Sequence, residues 1–391
     1  MNTQVSLYDE ELRIVSISWD VYPLLSSAVT QLILKTHKSK SPSPLVPSSS
    51  AHHHMNLEDS VSSTASSQCH SRHSSVSMSS LESTEPFLNV SFTPVECSLI
   101  IADSIMEELL TPLLNMLDTK TRDEVRVSRE MYVAIQVDGD GLDNGGRVVD
   151  LTAPLSKAGI PIFFLTTYFS DFVMVPLSAR SRVVQALEER GFFFNNMNNS
   201  YVSITNLNHS KLTSALMPLA EPHTEADRTI TEASLSMASS SLFASLKVSP
   251  QFYDHTKVVL VGARHKRVED NELLFFKISK MLLNPPKFFS ISVGPDGEMS
   301  LLLESKDTGS FSPMDVVGSM DEYMIPTCFD LSHLPEDATG IVAGVASCLV
   351  DEPIQMGYLS TAQSGIVMVA EEDLAYAKRV LGGRSGSASP A

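Results

Sequence analysis

The chain has 391 residues, a formal net charge of −18 and 43% hydrophobic residues, enough for two or more domains with cores of their own. So acidic a balance argues against a nucleic-acid partner, because such recognition relies on Lys and Arg neutralising phosphates. Four cysteines without a CxxC spacing (Cys69, Cys97, Cys328 and Cys348), a polar acidic start and no apolar run of bilayer length predict a soluble cytosolic protein with free thiols and no membrane partner.

In chain order, Leu12 to Ser18 reads as a strand and Tyr22 to Leu34 as a helix, with Leu24, Leu25, Ala28, Val29 and Leu32 as its apolar residues. Lys38 to Glu85 is dominated by Ser and has too few apolar residues to offset ordering entropy, so disorder is expected. Its hydroxyls could accept phosphate but specify no kinase, and its triplet His52-His53-His54, lacking a fixed partner ligand, reads as composition and not as a metal site.

Two strands, Phe87 to Thr93 and Ser98 to Ala102, then turn at Pro94, and Ser104 to Leu117 forms an amphipathic helix. Met131 to Val137 is a strand, Val148, Leu151 and Leu155 mark a helix, and Ile160 to Thr166 pairs with Phe172 to Val175. A helix over Ser181 to Arg190 stops at Gly191. After a Ser/Thr/Ala-rich linker at Glu221 to Ser245, the plan recurs. His255 to Val261 is a strand, Asn271 to Leu283 a helix, and Phe288 to Val293 with Met299 to Glu304 a hairpin around Pro295-Asp296-Gly297. Met324 to Leu331 is a strand, Val342, Val345, Ala346 and Leu349 line a helix, Gly357 to Ser360 pairs with Ile366 to Val369, and Glu372 to Leu381 is the last helix.

Four βαββ(α) units of the ferredoxin-like, split-βαβ size result, a mixed α/β (α+β) class. They span residues 1–118 (split by the insertion 38–85), 128–195, 200–310 (containing the stretch 221–245) and 315–381, with a flexible tail at 382–391. The second and fourth units are visibly copies. Ile160 and Ile354, and Val148 and Val342, are each 194 residues apart, and Gly146/Gly340, Leu155/Leu349 and Thr167/Thr361 match at that offset. The copies differ at the turn after the first strand of the pair, where Tyr168 and Asp171 face Ala362 and Gly365.

Catalytic motifs are missing. No GxSxG, P-loop, HExxH or strand-borne GxGxxG occurs, and no base, nucleophile or cofactor cluster converges, so neither an enzyme nor a cofactor is expected. The run Asp138-Gly139-Asp140-Gly141-Leu142-Asp143 invites a calcium reading, but an EF-hand loop would need an acid where Leu142 stands and a bidentate Glu where Val149 stands. A strand-to-helix loop is the reading kept. The cluster Arg264-His265-Lys266-Arg267 is followed by Glu269 and Asp270 and reads as a solvated loop.

A strand, a Gly-containing turn, a helix and a strand ending in Ser/Thr-Thr resemble ACT domains, small regulatory modules that bind amino acids between paired copies. The arrangement as four tandem ACT-like βαββαβ units is similar to the CASTOR family of cytosolic arginine sensors. The run Leu165-Thr166-Thr167-Tyr168-Phe169-Ser170-Asp171-Phe172-Val173-Met174-Val175 resembles that family's L-S-T-Y-Q-T-D-F-I-L-V, Thr339-Gly340-Ile341-Val342-Ala343 its E-C-G-I-V-A turn, and Tyr358-Leu359-Ser360-Thr361 its Y-I-S-T.

The resemblance implies an amino-acid site where the second and fourth units meet. Asp337, Ala338, Thr339, Gly340 and Ile341 would form a turn presenting backbone N–H groups to an α-carboxylate. Ile160, Pro161 and Ile162 would form the facing strand, and Thr361, Ala362 and Gly365 the wall near the ligand side chain. The chain departs from the family pattern at Ala338 and Gly365, where the pattern has acids, and at Pro161, where it has serine. A guanidinium needs such acids, and Glu336 and Asp337 stand only nearby, so a smaller or apolar amino acid fits these side chains better than arginine.

The resemblance further implies that Tyr168, Phe169 and Asp171 contact a GATOR-like complex regulating the TOR kinase. The residues themselves equally fit a β-turn with Asp171 bonded locally and Tyr168 packed on the sheet. The expected function is therefore an amino-acid-responsive regulator of nutrient signalling. A ligand-free adaptor, an allosteric subunit of amino-acid metabolism and a homodimeric state remain open.

Overall fold

The computed structural model describes residues 4–38, 85–138, 145–194, 248–264, 268–350, 352 and 354–382. Apart from their end residues, the Ser-rich insertion, the linker 221–245 and the C-terminal tail lie outside them, as do the acidic loop residues 139–144, the His triplet and Cys69.

Every unit builds a three-stranded antiparallel core. In the first, β2 (Leu12–Ile17) pairs with β4 (Cys97–Ala102), which pairs with β3 (Leu88–Phe92). In the second, β6 (Tyr132–Asp138), β8 (Ser170–Pro176) and β7 (Phe163–Thr166) follow the same order. The third has β11 (Val258–Ala263), β13 (Met299–Glu304) and β12 (Phe289–Val293), and the fourth β15 (Met324–Asp330), β17 (Ser364–Ala370) and β16 (Met356–Ser360).

Free sheet edges attract further strands, and here the units satisfy one another's. β3 pairs with β12 from Phe92↔Phe289 to Leu88↔Val293, joining units one and three. β7 meets β16 at Leu165↔Leu359, where Phe164 N donates to Ser360 Oγ (2.9 Å) and Tyr358 N to Thr166 Oγ1 (3.0 Å), joining units two and four. Single bridges, Leu12↔Tyr132 and Val258↔Met324, link the two sheets, and the ladder closes as a barrel.

Strand alternation then sorts side chains into layers. Ile14, Ile100, Phe172, Met174, Ile366 and Met368 point between the sheets, while their neighbours Val15, Leu99, Val173 and Val367 point outward. Over the first sheet lie α1 (Tyr22–Lys38), the composite helix α2 over 103–114 and, further along the chain, the helix Val268–Leu283. The second sheet is covered by α3 (Gly145–Lys157) and α4 (Arg180–Glu188). With α5 assigned to Val268–Leu283, the fourth unit adds α6 (Ile341–Ser347) and α7 (Leu374–Leu381) to that cover. Pro23 sits in the first turn of α1, where a missing N–H costs no helical bond. Where polar residues enter the inner layer they are paired, as Asn89 Nδ2 is to Ser292 Oγ (2.9 Å) and Ser290 Oγ (3.1 Å) across the β3–β12 seam.

The α/β class with ferredoxin-like repeats expected from the sequence is what the chain adopts. Its short edge strands were not anticipated, and several cross the expected unit limits. β1 (Gln4–Leu7) precedes the first unit's core yet pairs with β6 and with β9 (Phe193–Phe194) of the second. β10 (Pro250–Phe252) likewise precedes β11 but pairs with β15. β5 (Val125–Val127), beyond residue 118, pairs with β2, and β14 (Val316–Val317), beyond residue 315, pairs with β11. Residues 160–162 are not strand, since β7 begins at Phe163. Cys97, Cys328 and Cys348 are free thiols. No helix among the described residues is long and apolar enough to cross a membrane.

Candidate functional site

The turn of residues 361–364, between β16 and β17, closes against the first unit. Thr361 Oγ1 (2.7 Å) and Gln363 N (2.5 Å) donate to Oε1 of Glu96, at the start of β4, and Ala362 N donates to Ser98 Oγ (3.1 Å). The Gln363 side-chain amide donates to Ser16 Oγ. Glu96 is 1% exposed, and burial pushes its carboxyl up, against the pull of these hydrogen bonds and the nearby Arg126 charge. Its Oε2 has no hydrogen bond among the described residues.

Beside this clip lies a cavity of about 110 Å³. Ile14, Tyr132, Val342 and Tyr358 form its buried part, Ser16, Thr361 and Ser364 a polar wall. Ile162, Phe163 and Leu331 flank it, and the exposed Arg126 and Glu336 stand at its rim. Burial, followed by the charges of Glu336 and Glu130, pushes the Tyr132 phenol up to about 12. Burial likewise raises the Tyr358 phenol, so both stay neutral at neutral pH and serve as hydrogen-bonding walls. A pocket this small with a few convergent polar groups suits a small organic ligand.

The pseudo-equivalent place, between the second and third units, is filled. Tyr168 N donates to Ser300 Oγ (3.0 Å), matching Ala362 on Ser98. The rings of Tyr168 and Phe169 meet edge to face, with centroids 5.1 Å apart, and cover two glycines. A Cβ on Gly262 would stand 2.5 Å from the Phe169 ring and 2.7 Å from Tyr168, and one on Gly318 (φ +102°) 2.6 Å from Tyr168. Register makes the comparison residue by residue. Ser16 lies opposite Arg126 in the β2–β5 ladder, and Gly262 opposite Val317 in the β11–β14 ladder. The open site thus has Ser16, Arg126, Ala362 and Gln363 where the filled one has Gly262, Val317, Tyr168 and Phe169.

Of the residues expected at the ligand site, Pro161, Ile162, Ala338, Ile341, Thr361 and Ala362 line the cavity. Ile160 does not, being fully buried in the outer core beneath the helices. Asp337, Thr339 and Gly340 lie beside the lining; Gly340 takes φ +80°, left-handed backbone that favours glycine, just before the seven residues of α6. Gly365 is no wall. A Cβ there would come 2.6 Å from Tyr358 Oη, so its role is to admit the tyrosine that does line the cavity.

The three residues expected to face a partner make their contacts within this chain. Tyr168 and Phe169 are half-buried over Gly262 and Gly318, and Asp171 is 5% exposed with its carboxylate on Arg147 Nη2 (2.8 Å). At the offset of 194 residues, Phe164, Asp171 and Arg147 correspond to Tyr358, Gly365 and Ile341. One unit fills this corner with an ion pair, the other with a phenol.

Sequence reasoning missed Ile14, Ser16, Glu96, Arg126 and Tyr132. All but Tyr132 lie before the second unit, in a part of the chain where no ligand contact was expected. Among the described residues no group of His, Cys, Asp and Glu could hold a metal.

Fold and site together define a protein of paired ferredoxin-like units around a small cavity. Residues 127–189 and 321–382, which fall on the second and fourth units, match the family model of the ACT domain. No curated protein matches in sequence. Solved structures with a similar fold include a protein of Agrobacterium tumefaciens (14% identity, 51% of this chain and 99% of that one, TM-score 0.26). Others are the aspartate kinase of Synechocystis (10%, 100% and 57%, TM-score 0.30) and the ligand-free regulatory subunit of aspartate kinase from Thermus thermophilus (12%, 49% and 99%, TM-score 0.28).

Proposed function

We propose that this chain is a non-catalytic regulator that binds a free amino acid in the cavity beside residues 361–364 and transmits its presence through the contacts between units. The observation that carries this is the asymmetry between the two turn sites. One is plugged by the chain's own rings, while the other keeps a cavity with polar walls in a unit that matches the ACT domain. Its walls come from units one, two and four, so a bound ligand would favour the arrangement in which those units are clipped together. Such a difference in affinity between arrangements is what a regulatory ligand requires.

The resemblance of the Tyr168 turn and the Gly340 turn to cytosolic arginine sensors supports a finer assignment, to TOR-kinase nutrient signalling in the cytosol through a GATOR-like complex. With Tyr168, Phe169 and Asp171 engaged inside the chain, a partner would read the closed turn with its surroundings.

Thermal unfolding of the full chain in the presence of each of the twenty amino acids tests the proposal. A ligand at a hundred times its Kd stabilises by about 2.7 kcal/mol, so one or a few compounds should raise Tm. Ala362→Trp, which fills the cavity, should abolish that shift. No shift with any amino acid at millimolar concentration would overturn the proposal in favour of an adaptor.

A further inference from the structure

We infer that Arg126 is the carboxylate-binding residue of the cavity, and that the ligand is a neutral α-amino acid whose apolar side chain points inward while its ammonium faces Glu336. The inference rests on the cavity being an amino-acid site. It departs from recognition by backbone N–H groups alone.

Three observations converge on it. First, Arg126 stands at the rim on β5, exposed, with no ion pair or hydrogen bond from its guanidinium to a described residue, in a chain whose net charge is −18. Its charge acts on the buried Glu96 behind the wall. Second, the filled site has Val317 at the matching register position, so a cation accompanies the cavity and is missing where rings occupy the space. Third, the segment facing α6 carries Pro161, which has no N–H to offer a carboxylate.

The rim also holds Glu336, an exposed carboxylate among the lining residues. One cation and one anion at the same mouth match a zwitterion. A simple anion would meet Glu336 and the acidic surface without compensation. Inside, Ile14, Tyr132, Val342 and Tyr358 offer no charge to a cationic or acidic side chain, whose burial unpaired would be strongly disfavoured. The volume of about 110 Å³ is below the ~150 Å³ of a cavity that admits benzene. Aliphatic side chains such as those of valine, leucine, isoleucine and methionine therefore fit better than aromatic ones. A carboxylate in a fork of two guanidinium N–H groups gives both orientation and affinity.

Calorimetric titration of the full chain with L-valine, L-leucine, L-isoleucine, L-methionine, L-phenylalanine, L-arginine and L-glutamate, and with 3-methylbutylamine as a leucine analogue without its carboxylate, tests this. An aliphatic member should bind best and the amine should not bind. Arg126→Ala should weaken binding about tenfold to a hundredfold, the span of one hydrogen bond to a charged group. Arg126→Lys should recover part of it, and Glu336→Gln should weaken binding less. Arg126 is exposed, so the substitution leaves the fold intact, which the unchanged Tm of the ligand-free variant checks. If an amino acid binds with the same affinity to Arg126→Ala, or if arginine or glutamate binds and the aliphatic set does not, the inference falls while the proposed function stands. If none of the panel binds and the full set of twenty shows no Tm shift, both fall.

Discussion

The turn after the first strand of the pair is used in opposite ways in the second and fourth units. In the second unit, residues 167–170 carry Tyr168 and Phe169 over Gly262 and Gly318, where a side chain would meet the rings. In the fourth, residues 361–364 carry Ala362 and Gln363 to the first unit and leave a cavity. The main-chain anchor is the same in both, an amide on Ser300 or Ser98. A duplicated frame therefore does not imply duplicated sites. Two side chains on the turn and two positions facing it decide whether the space is solid or available.

The corner behind each turn can be tested first, because it should give the largest effect. Removing one member of a buried ion pair leaves the other charge unsatisfied, at a cost of about 3–5 kcal/mol. Arg147 and Asp171 have side chains 16% and 7% exposed, so Asp171→Ala should lose about 3 kcal/mol in denaturant unfolding, near the low end of that range. The pair Arg147→Ile with Asp171→Gly copies the fourth unit and should recover part of the loss. A double variant as unstable as the single one would show that the two corners are not interchangeable.

The glycines beneath the plug come next. Gly318→Ala combines a disfavoured positive φ with a contact on the Tyr168 ring, and strain of this kind costs about 1–3 kcal/mol. Gly262→Ser introduces into the filled site the residue found at the open one. The atoms it meets are side-chain ring atoms, the far end of the Phe169 ring and Cδ1 of Tyr168, and Gly262 has no positive φ to add strain. It should therefore cost less than Gly318→Ala and expose the rings. Equal losses for the two variants would mean that the plug cannot move, and that the filled site is part of the core.

The long periodic strands and helices were legible because burial on one or both faces fixes their pattern, as at β2, β8, β13 and β17. The order of the four units was legible for the same reason. Edge strands of two to four residues such as β1, β5, β10 and β14 were not, since so short a segment has no period to detect and pairs with strands far away in sequence. That gap hid Arg126, which lies between two expected units and reaches the cavity only because β5 returns to β2. Ile162, Ala338, Ile341, Thr361 and Ala362, expected from the family resemblance and not from the repeat, line the cavity. Gly365 was misplaced because a glycine looks like open space, while its lost side chain is replaced by the Tyr358 hydroxyl. Divergence at Tyr168 and Ala362 marked where the two copies differ in packing, but its sense, plug against cavity, depended on Gly262 and Gly318, more than 90 residues away from the plug.

The smallest expected effect concerns the clip that distinguishes the open turn. Gln363 N and Thr361 Oγ1 need an acceptor at Glu96, but they do not need its charge. Burial raises the Glu96 pKa above its ordinary 4.5, so the native state favours the protonated form. Its contribution to stability is then complete below the unfolded pKa and is lost as pH rises through the higher folded value. Glu96→Gln keeps the oxygen that accepts from Gln363 and Thr361 and carries no charge at any pH. The variant should match the parent chain in acid and exceed it at neutral pH. Melting both proteins from pH 4 to pH 8 measures the difference directly. A parent chain that instead gains on the variant as pH rises would show that Arg126 and the donors of residues 361–364 hold the carboxylate ionised. In that case a ligand carboxylate on Arg126 would compete with Glu96 for the same charge, and binding would loosen the clip instead of tightening it.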